Sequence, residues 1–156
     1  MFLFRLTDTL DSAGLEYAIA GGYAVALHGA VRGTVDVDLV IHLRKADFQK
    51  AEVALAGIGL QPRLPVTAGE VFDFREEFAT RRNMLAWNFT NPSNPGEVVD
   101  ILITENLADL KVTVLKVGSR KLPVVSRDDL IRMKTKAGRP QDLEDVSALQ
   151  RLARKP

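Results

Sequence analysis

The chain has 156 residues, of which 46% are hydrophobic, and this is enough to build one compact domain around one ordinary core. It has no cysteine and only two histidines, which excludes disulfides, thiolate metal sites and a cysteine nucleophile and disfavours a histidine-based zinc site. The net charge is +1, and no apolar run approaches the roughly 18 to 20 residues of a membrane helix, so we expect one domain over residues 1–156, in the cytoplasm and without a membrane partner.

The first 56 residues predict three helices and two strands. Leucines at helical spacing, helix-forming composition after a glycine pair and a third helical run indicate the helices. Short apolar and β-branched runs indicate the strands, and the second of these alternates acidic with apolar residues, as a strand with two different faces does. The predicted order is helix Leu3–Ser12, strand Glu16–Ala20, turn Gly21-Gly22, helix Tyr23–His28, strand Val35–Leu43 and helix Lys45–Ala56.

The middle of the chain is harder to interpret. Residues 60–83 contain two prolines and a mixed polar run, and the pattern predicts there only a strand near Val71–Phe74. Turn formers at residues 91–96 then separate the predicted strands Leu85–Thr90 and Glu97–Thr104, which indicates a hairpin. On the first of these strands Trp87 and Phe89 are predicted to be core residues and not a platform for stacking bases.

The C-terminal part predicts a second hairpin and two helices. Ser126, with Asp129 three residues later, resembles a capping box that opens a helix through Lys136. Pro140 opens the last helix, on which leucines and a valine form an apolar stripe of Leu143, Val146, Leu149 and Leu152, and the hairpin strands are Val112–Val117 and Lys121–Val125. The whole pattern predicts a small α/β (α+β) domain with a mixed sheet and flanking helices, its core at about 14–104 and its C-terminal hairpin and helices at about 111–154.

Basic residues are concentrated in this C-terminal part. Between Lys111 and Arg139 there are nine Lys and Arg against Asp128 and Asp129, and nine minus two gives a local charge of +7. Such a segment can contact phosphates, or it can be a solvated surface that acids elsewhere balance.

Three aspartates carry the strongest chemical signal. Asp36 and Asp38 lie two apart on a predicted strand, so their side chains leave the same face and would repel each other without a cation. Asp100 lies within the apolar run Val98–Ile103, where an ionised carboxylate needs a partner. If the two strands are neighbours, these hard oxygen ligands suit two Mg²⁺ ions bound together with substrate phosphates. The alternative for the first two aspartates is an exposed edge strand.

The glycine pair Gly21-Gly22 lies between a predicted strand and a predicted helix. Bare backbone amides and the positive end of a helix dipole there can bind an anion such as a triphosphate. A glycine pair can also be a simple turn, and the nearby carboxylates are what favour the phosphate interpretation.

Together these residues resemble a known superfamily. The segments Ile19-Ala-Gly-Gly-Tyr-Ala24, Arg32-Gly-Thr-Val-Asp-Val-Asp-Leu39 and Val99-Asp-Ile-Leu102 are similar to the glycine pair, Asp-x-Asp and later strand aspartate of the DNA polymerase beta nucleotidyltransferases. Within that superfamily, the Arg-x-Thr-x-Asp-x-Asp version and the segment Lys134–Asp145 resemble minimal and abortive-infection-type nucleotidyltransferases, several of which are toxins of toxin-antitoxin pairs. The resemblance spans residues 15–150.

The resemblance implies a nucleotidyltransferase fold and a role for each matching residue. Asp36 and Asp38 would ligate two Mg²⁺ ions, with Mn²⁺ as a substitute, and Asp100 would complete the metal site and help to take the acceptor proton. Gly21 and Gly22 would bind the triphosphate.

Four further residues would assist in nucleotide binding, and each has a structural alternative. Arg32 and Thr34 would hold phosphate or order the loop, or they are a salt bridge and a strand-start hydroxyl. Lys134 and Arg139 would reach the phosphates with Asp142 as an orienting partner, or they form an ion-pair cluster within a helix. His28 is predicted to be a packing or capping residue and not a base.

The acceptor of the nucleotide is not evident from the sequence. One hypothesis is an enzyme that modifies tRNA or a protein, as a toxin with an antitoxin protein as partner. A second is an enzyme that modifies a hydroxyl of a small molecule such as an antibiotic. A third is a non-catalytic nucleotide-binding or partner-binding module. The three intact aspartates favour catalysis, and the Arg-x-Thr-x-Asp-x-Asp segment and the basic segment favour a macromolecular acceptor.

Overall fold

The computed structural model describes residues 1–154, which form a seven-stranded mixed sheet with helices packed on both faces. The helices are α1 (Phe2–Ser12), α2 (Gly21–Leu27), α3 (Lys45–Ala56), α4 (Ala68–Asp73), α5 (Arg75–Arg81), α6 (Arg127–Ala137) and α7 (Pro140–Arg154). The strands are β1 (Tyr17–Ala20), β2 (Val37–Ile41), β3 (Gln61–Pro62), β4 (Ala86–Asn91), β5 (Asn94–Leu102), β6 (Val112–Val117) and β7 (Arg120–Val125). The predicted mixed sheet with two C-terminal helices is therefore confirmed, and no helix of residues 1–154 is long and apolar enough to cross a membrane.

The order of the strands brings distant segments of the chain together. The sheet runs β3-β4-β5-β2-β1-β7-β6, with β2 parallel to β5, β1 parallel to β7 and every other pair antiparallel. All four residues of β1 are buried, because this central strand is covered on both faces. The two strands that carry the predicted acids, β2 and β5, are neighbours, as the two-metal interpretation requires.

The side chains of β4 and β5 alternate between a closed face and an open face. Trp87 and Phe89 of β4 are almost completely buried, and Trp87 stacks on Phe48 of α3 with the ring centroids 5.9 Å apart. Both aromatic residues are thus core, as predicted. Asn88 and Asp100 point away from this core and stay partly exposed. One face of this half of the sheet therefore stabilises the fold, while the other is available to ligands.

The predicted strand at Val71–Phe74 is wrong, because this segment belongs to helix α4 and to the residue that follows it. Thr67 caps that helix through a capping box, in which its hydroxyl accepts a hydrogen bond from the backbone N–H of Glu70 and the Glu70 carboxylate accepts one from the backbone N–H of Thr67. Two reciprocal caps satisfy amides that the first turn of a helix otherwise leaves free, and they stabilise even a six-residue helix.

Two further expectations need correction. The predicted strand Val35–Leu43 is shorter in the structure, since β2 begins at Val37, so Asp36 precedes the strand and does not lie on it. The apolar stripe of α7 is also wrong at Leu143, which is half exposed. The buried side of α7 instead includes two aspartates, Asp142 and Asp145, whose charges are paired.

Candidate nucleotide and metal site

One row of paired residues crosses four strands of the sheet. Ala20 of β1 is opposite Asp38 of β2, Asp38 is level with Asp100 of β5, and Asp100 is opposite Asn88 of β4. Directly paired residues project from the same face of a sheet, so the two aspartates and the asparagine share one face. The structure thereby brings Asp38 and Asp100 together, although they are distant in sequence.

The two carboxyl groups of this row are close enough to perturb each other. The pKa of Asp38 is raised to about 7, mainly by burial and in addition by the negative charge of Asp100. Burial also raises the pKa of Asp100, against the effect of Asn88, whose amide Nδ2 donates a 2.6 Å hydrogen bond to Asp100 Oδ1. The charge of Asp36 contributes to both raised pKa values, so this third acid lies near the pair even though it precedes β2.

Two neighbouring carboxylates with raised pKa values fit a divalent cation. A cation would remove their mutual repulsion and favour both ionised forms. Within residues 1–154, no three His, Cys, Asp or Glu side chains are grouped closely enough to enclose a metal ion. A pair of carboxylates with open positions beside it is how Mg²⁺ is commonly held in proteins, with substrate phosphates and water as its other ligands.

The glycine turn lies directly against the first of these carboxylates. Gly21 has a φ of +64°, which residues with a side chain rarely adopt, and a Cβ atom built on it would lie 1.8 Å from Asp38 Oδ2. Only a glycine at this position lets the backbone approach the carboxylate so closely. A phosphate bound to the amides of the turn would therefore be adjacent to a cation bound at Asp38.

Gly22 is in close contact with the loop that precedes β2. A Cβ atom on Gly22 would lie 3.0 Å from Thr34 Cβ and 3.3 Å from Arg32 Cζ. The Thr34 hydroxyl donates a 3.3 Å hydrogen bond to the backbone carbonyl of Asp36, which fixes the loop beside the acids. Thr34 and Arg32 thus lie next to the glycine turn, where a role in nucleotide binding is possible for both.

Replacing Gly21 by alanine should sharply weaken the binding of a nucleoside triphosphate. The new methyl group displaces the Asp38 carboxylate, and with it the position of a cation that would bind the phosphates. Gly118→Ala is a matched control, because Gly118 has a similar φ of +61° but no atom within 4 Å of the added Cβ. Both variants should lose about 1 to 2 kcal/mol of stability from the left-handed backbone.

Isothermal titration calorimetry with Mg²⁺ and a non-hydrolysable triphosphate, together with urea unfolding, separates the two effects. We expect at least about tenfold weaker binding in Gly21→Ala, or a loss of about 1.4 kcal/mol in binding free energy, and unchanged binding in Gly118→Ala. Equal affinities in both variants would mean that Gly21 is only a turn residue.

A buried ionic network joins the predicted basic residues to the last helix. The Asp145 carboxylate lies 3.0 Å from Arg32 Nε and 3.0 Å from Lys134 Nζ. The Asp142 carboxylate lies 3.2 Å from Lys134 Nζ and 2.7 Å from Arg139 Nε. Both aspartates are at most 3% exposed, and little water screens their pairs with Lys134 and Arg32, whereas the Arg139 side chain is 76% exposed and its pair is open to solvent. The network connects the loop before β2 with α6 and α7.

This network lies beside the acids of the sheet and is not confined to one helix. The positive charges of Lys134 and Arg139 each lower the pKa of Asp38, which places both cations within electrostatic reach of the row. Burial alone would raise the pKa of Asp142, but hydrogen bonds from Arg139 and Lys134 hold it below its ordinary value. Asp142 is therefore an ionised partner that pairs with both cations.

Sequence reasoning missed three residues of this region. Asp145 is three positions after Asp142 and so lies on the same side of the helix, a spacing that the apolar interpretation of α7 passed over. Asn88 is a polar residue between two buried aromatic residues of a strand. This alternation is the sequence signal that could have predicted its position on the open face. Arg63, whose charge acts on Asp100, lies in the segment for which only a weak strand was predicted.

His28 has no part in the row of acids. Its Nε2 lies 2.9 Å from the backbone carbonyl oxygen of Val125, so the side chain ties α2 to the end of β7. His28 is also the C-cap residue of α2, which is consistent with the predicted packing or capping role.

Comparison with known proteins supports the fold and leaves the activity to be argued from the site. No family model matches the sequence, and no curated protein matches it. Solved structures do match. The lincosamide antibiotic adenylyltransferase LnuA, in its lincomycin-bound form, gives a TM-score of 0.64 at 16% identity over 97% of this chain and 96% of that chain.

Two other solved structures are also similar to this chain. ANT(2″)-Ia, in complex with adenylyl-2″-tobramycin, gives a TM-score of 0.62 at 13% identity over 94% of this chain and 84% of that chain. An antigenic nucleotidyltransferase-like protein from Paracoccidioides brasiliensis gives a TM-score of 0.58 at 20% identity over 93% of this chain and 72% of that chain. The chain therefore has the nucleotidyltransferase fold, as its sequence motifs predicted.

Proposed function

We propose that the chain is a nucleotidyltransferase that moves a nucleoside monophosphate from a nucleoside triphosphate, such as ATP, to a hydroxyl group of an acceptor. The observation that carries this proposal is the direct pairing of Asp38 with Asp100 on parallel strands, with the backbone of Gly21 against Asp38. This arrangement provides a cation site and a phosphate site in contact, which is what phosphoryl chemistry on a triphosphate needs.

In this proposal Asp38 and Asp100 hold the metal, and Asp36, whose charge acts on both, would join them as the third ligand when the ions bind. Two Mg²⁺ ions, or Mn²⁺ in their place, would when bound neutralise phosphate charge and make the acceptor hydroxyl more acidic. The Asp100 carboxylate accepts the proton of that hydroxyl, and the hydrogen bond from Asn88 keeps it oriented. The acceptor oxygen bonds to the α-phosphorus, the bond from this phosphorus to the bridging oxygen breaks, and pyrophosphate leaves.

The triphosphate binds on the side of Asp38 that is opposite to Asp100. The backbone amides of Gly21 and Gly22 bind phosphate oxygens at close range. Lys134 and Arg139 supply positive charge to the leaving pyrophosphate, since both act on Asp38 electrostatically. Arg32 and Thr34 order the loop over the glycine turn and complete the nucleotide site, with Arg32 held by its ion pair to α7.

We further propose that the acceptor is tRNA or a protein, that the chain acts as the toxin of a toxin-antitoxin pair, and that an antitoxin protein is its partner. The Arg-x-Thr-x-Asp-x-Asp segment and the C-terminal basic residues support this. Ion pairs engage Arg120, Arg132, Lys134 and Arg139, whereas the side chains of Lys111, Lys116, Lys121, Arg127 and Lys136 have no carboxylate within 4 Å among residues 1–154. These unpaired cations are available to a phosphate backbone.

A small-molecule acceptor is the second candidate, and one observation favours it. LnuA, a lincosamide antibiotic adenylyltransferase, is matched over 96% of its own length, so a domain of nearly this size is sufficient for that activity. The structure also has a cavity of about 430 Å³ beside Arg32 and Asp145. Neither Asp38 nor Asp100 lines it, which places it away from the reacting groups and weakens the case for it as the acceptor pocket.

A labelling experiment tests the proposed function. The purified protein is incubated with Mg²⁺, each α-labelled nucleoside triphosphate and, separately, total RNA, cell protein, tobramycin or lincomycin. We expect label to enter an acceptor, with RNA or protein preferred, and to be lost when Mg²⁺ is omitted or when Asp38 is replaced by asparagine.

Label in RNA or protein would support the toxin hypothesis, and label in a drug would support the second candidate. If wild-type protein binds Mg²⁺ and triphosphate but labels no acceptor under any condition, the chain is better described as a non-catalytic nucleotide-binding module.

A further inference from the structure

The row of paired residues extends one strand beyond Asn88, to Arg63. Strand β3 pairs Pro62 with Phe89, and the backbone N–H of Arg63 donates a 2.9 Å hydrogen bond to the carbonyl of Asn88, which continues the same register. Arg63 is therefore opposite Asn88 and on the open face, level with Asp100. Its charge is close enough to influence that carboxylate.

Arg63 is an exposed cation that the fold leaves without a partner. Among residues 1–154 it has no carboxylate within 4 Å, whereas Arg32, Lys134 and Arg139 on the other side of the acids are all held in ion pairs. A cation that is paired with a carboxylate has a fixed position, but the carboxylate partly neutralises its charge. The charge of an unpaired cation is not neutralised and attracts an anionic ligand more strongly.

Asn88, between Arg63 and Asp100, has an unsatisfied polar atom. Its Nδ2 donates to Asp100, but its Oδ1 is buried and has no hydrogen-bond partner among the described residues. Because that oxygen has almost no accessible surface, a ligand does not reach it directly, and the hydrogen bond from Nδ2 holds the Asn88 amide against Asp100. The open face therefore offers a proton acceptor and a cation in one line, with a fixed amide between them.

We propose that the face formed by Asp100, Asn88 and Arg63 is the acceptor subsite, and that Arg63 selects acceptors that carry a phosphate group near the reacting hydroxyl. This inference rests on the proposed function and specifies its substrate class. The glycine turn follows β1, which flanks β2 on the edge opposite to β5, so the triphosphate and the acceptor approach from opposite ends of the row.

The spacing of the row defines what the acceptor must look like. Asp100 and Arg63 are two strand spacings apart, or roughly 10 Å between backbones, a gap that the long arginine side chain shortens. A nucleotide fits this frame, with one hydroxyl at Asp100 and its phosphate at Arg63. A polycationic drug does not, because Arg63 would repel it.

Anisotropy of a fluorescent 12-nucleotide single-stranded RNA, measured with Mg²⁺ and a non-hydrolysable triphosphate, tests this inference without requiring transfer. Arg63→Gln should weaken binding about tenfold and reduce the slope of log Kd against log salt by about one, as the loss of one phosphate contact does. Arg63→Lys should restore part of the affinity. The matched control is Arg81→Gln, which removes an exposed arginine from α5, a helix that contributes no residue to the row.

Unlabelled AMP, added as a competitor, distinguishes a phosphorylated small acceptor from RNA. Displacement of the RNA by AMP in wild-type protein but not in Arg63→Gln means that one nucleotide fills the subsite, whereas failure to displace it assigns the site to the longer chain. The inference is wrong if Arg63→Gln and Arg81→Gln change the affinity equally, or if wild-type protein binds neither RNA nor AMP. This experiment measures binding and not transfer. A protein that binds RNA through Arg63 but transfers no nucleotide would therefore contradict the proposed function without contradicting this inference.

Discussion

Replacement of Asp100 by asparagine should reduce nucleotidyl transfer roughly 1,000-fold while most of the affinity for the triphosphate remains. Asparagine has nearly the same shape but cannot accept the proton of the attacking hydroxyl, and a positioned general base contributes about 10² to 10⁴ in rate. The glycine turn and the cations beyond Asp38 still bind the phosphates. The loss therefore falls on the transition state and should appear in kcat, with little change in the Kd of the triphosphate.

Asp109→Asn provides the control for this variant, because it makes the same chemical change at an exposed aspartate away from the row. Single-turnover transfer of label and calorimetric binding of a non-hydrolysable triphosphate measure the two effects separately. Full transfer activity in Asp100→Asn would remove this residue from the mechanism. A parallel loss of triphosphate affinity would instead make Asp100 mainly a ligand of the nucleotide-bound metal.

The second large effect is expected in the buried network. Asp142→Leu should lower the free energy of unfolding by about 3 kcal/mol, because Lys134 is largely buried and loses one of its two carboxylate partners. Triphosphate binding should weaken as well, since Arg139 is no longer held near Asp38. Urea unfolding and calorimetry measure the two losses, and Glu144→Leu, at an exposed position of the same helix, is the matched control.

A triple variant separates the structural role from the functional one. Lys134→Met, Asp142→Leu and Asp145→Leu together remove the three most buried charges of the network and leave Arg32 and Arg139, whose side chains are 21% and 76% exposed, to water. Apolar replacement of buried ion groups is often neutral or stabilising. We expect its stability to return to near the wild-type value while triphosphate binding stays weak. If binding also returned, the network would serve only the packing of α7.

The parts of the site that could be predicted are those set by local pattern. A period of two placed Asp38 on a strand, an apolar run placed Asp100 on another, and the structure shows these strands as neighbours. The helix Lys45–Ala56 was predicted with its observed bounds, because its Ala, Lys and Glu content and the following glycine all agree. Local sequence patterns were sufficient to predict an element wherever its buried residues are the hydrophobic ones.

The parts that could not be predicted depend on partners far away in the chain. Asp142 and Asp145 are buried only because cations from other segments reach them, and Arg32 is 113 positions away from Asp145. The prediction for residues 60–83 was wrong for a different reason. Their first helix carried a recognisable capping box at Thr67 and Glu70, but α5 has no buried residue, so no hydrophobic period marked it.

The long sequence separation within the ionic network has a consequence for biosynthesis. The loop with Arg32 leaves the ribosome before α7, the helix that carries Asp145, 113 positions later in the chain. A nascent chain that ends before this helix holds Lys134 and Arg139 without their carboxylates, so its phosphate-binding cations are not yet in place. Competence to bind nucleotide should thus arrive only once α7 has been synthesised and has packed against the loop with Arg32.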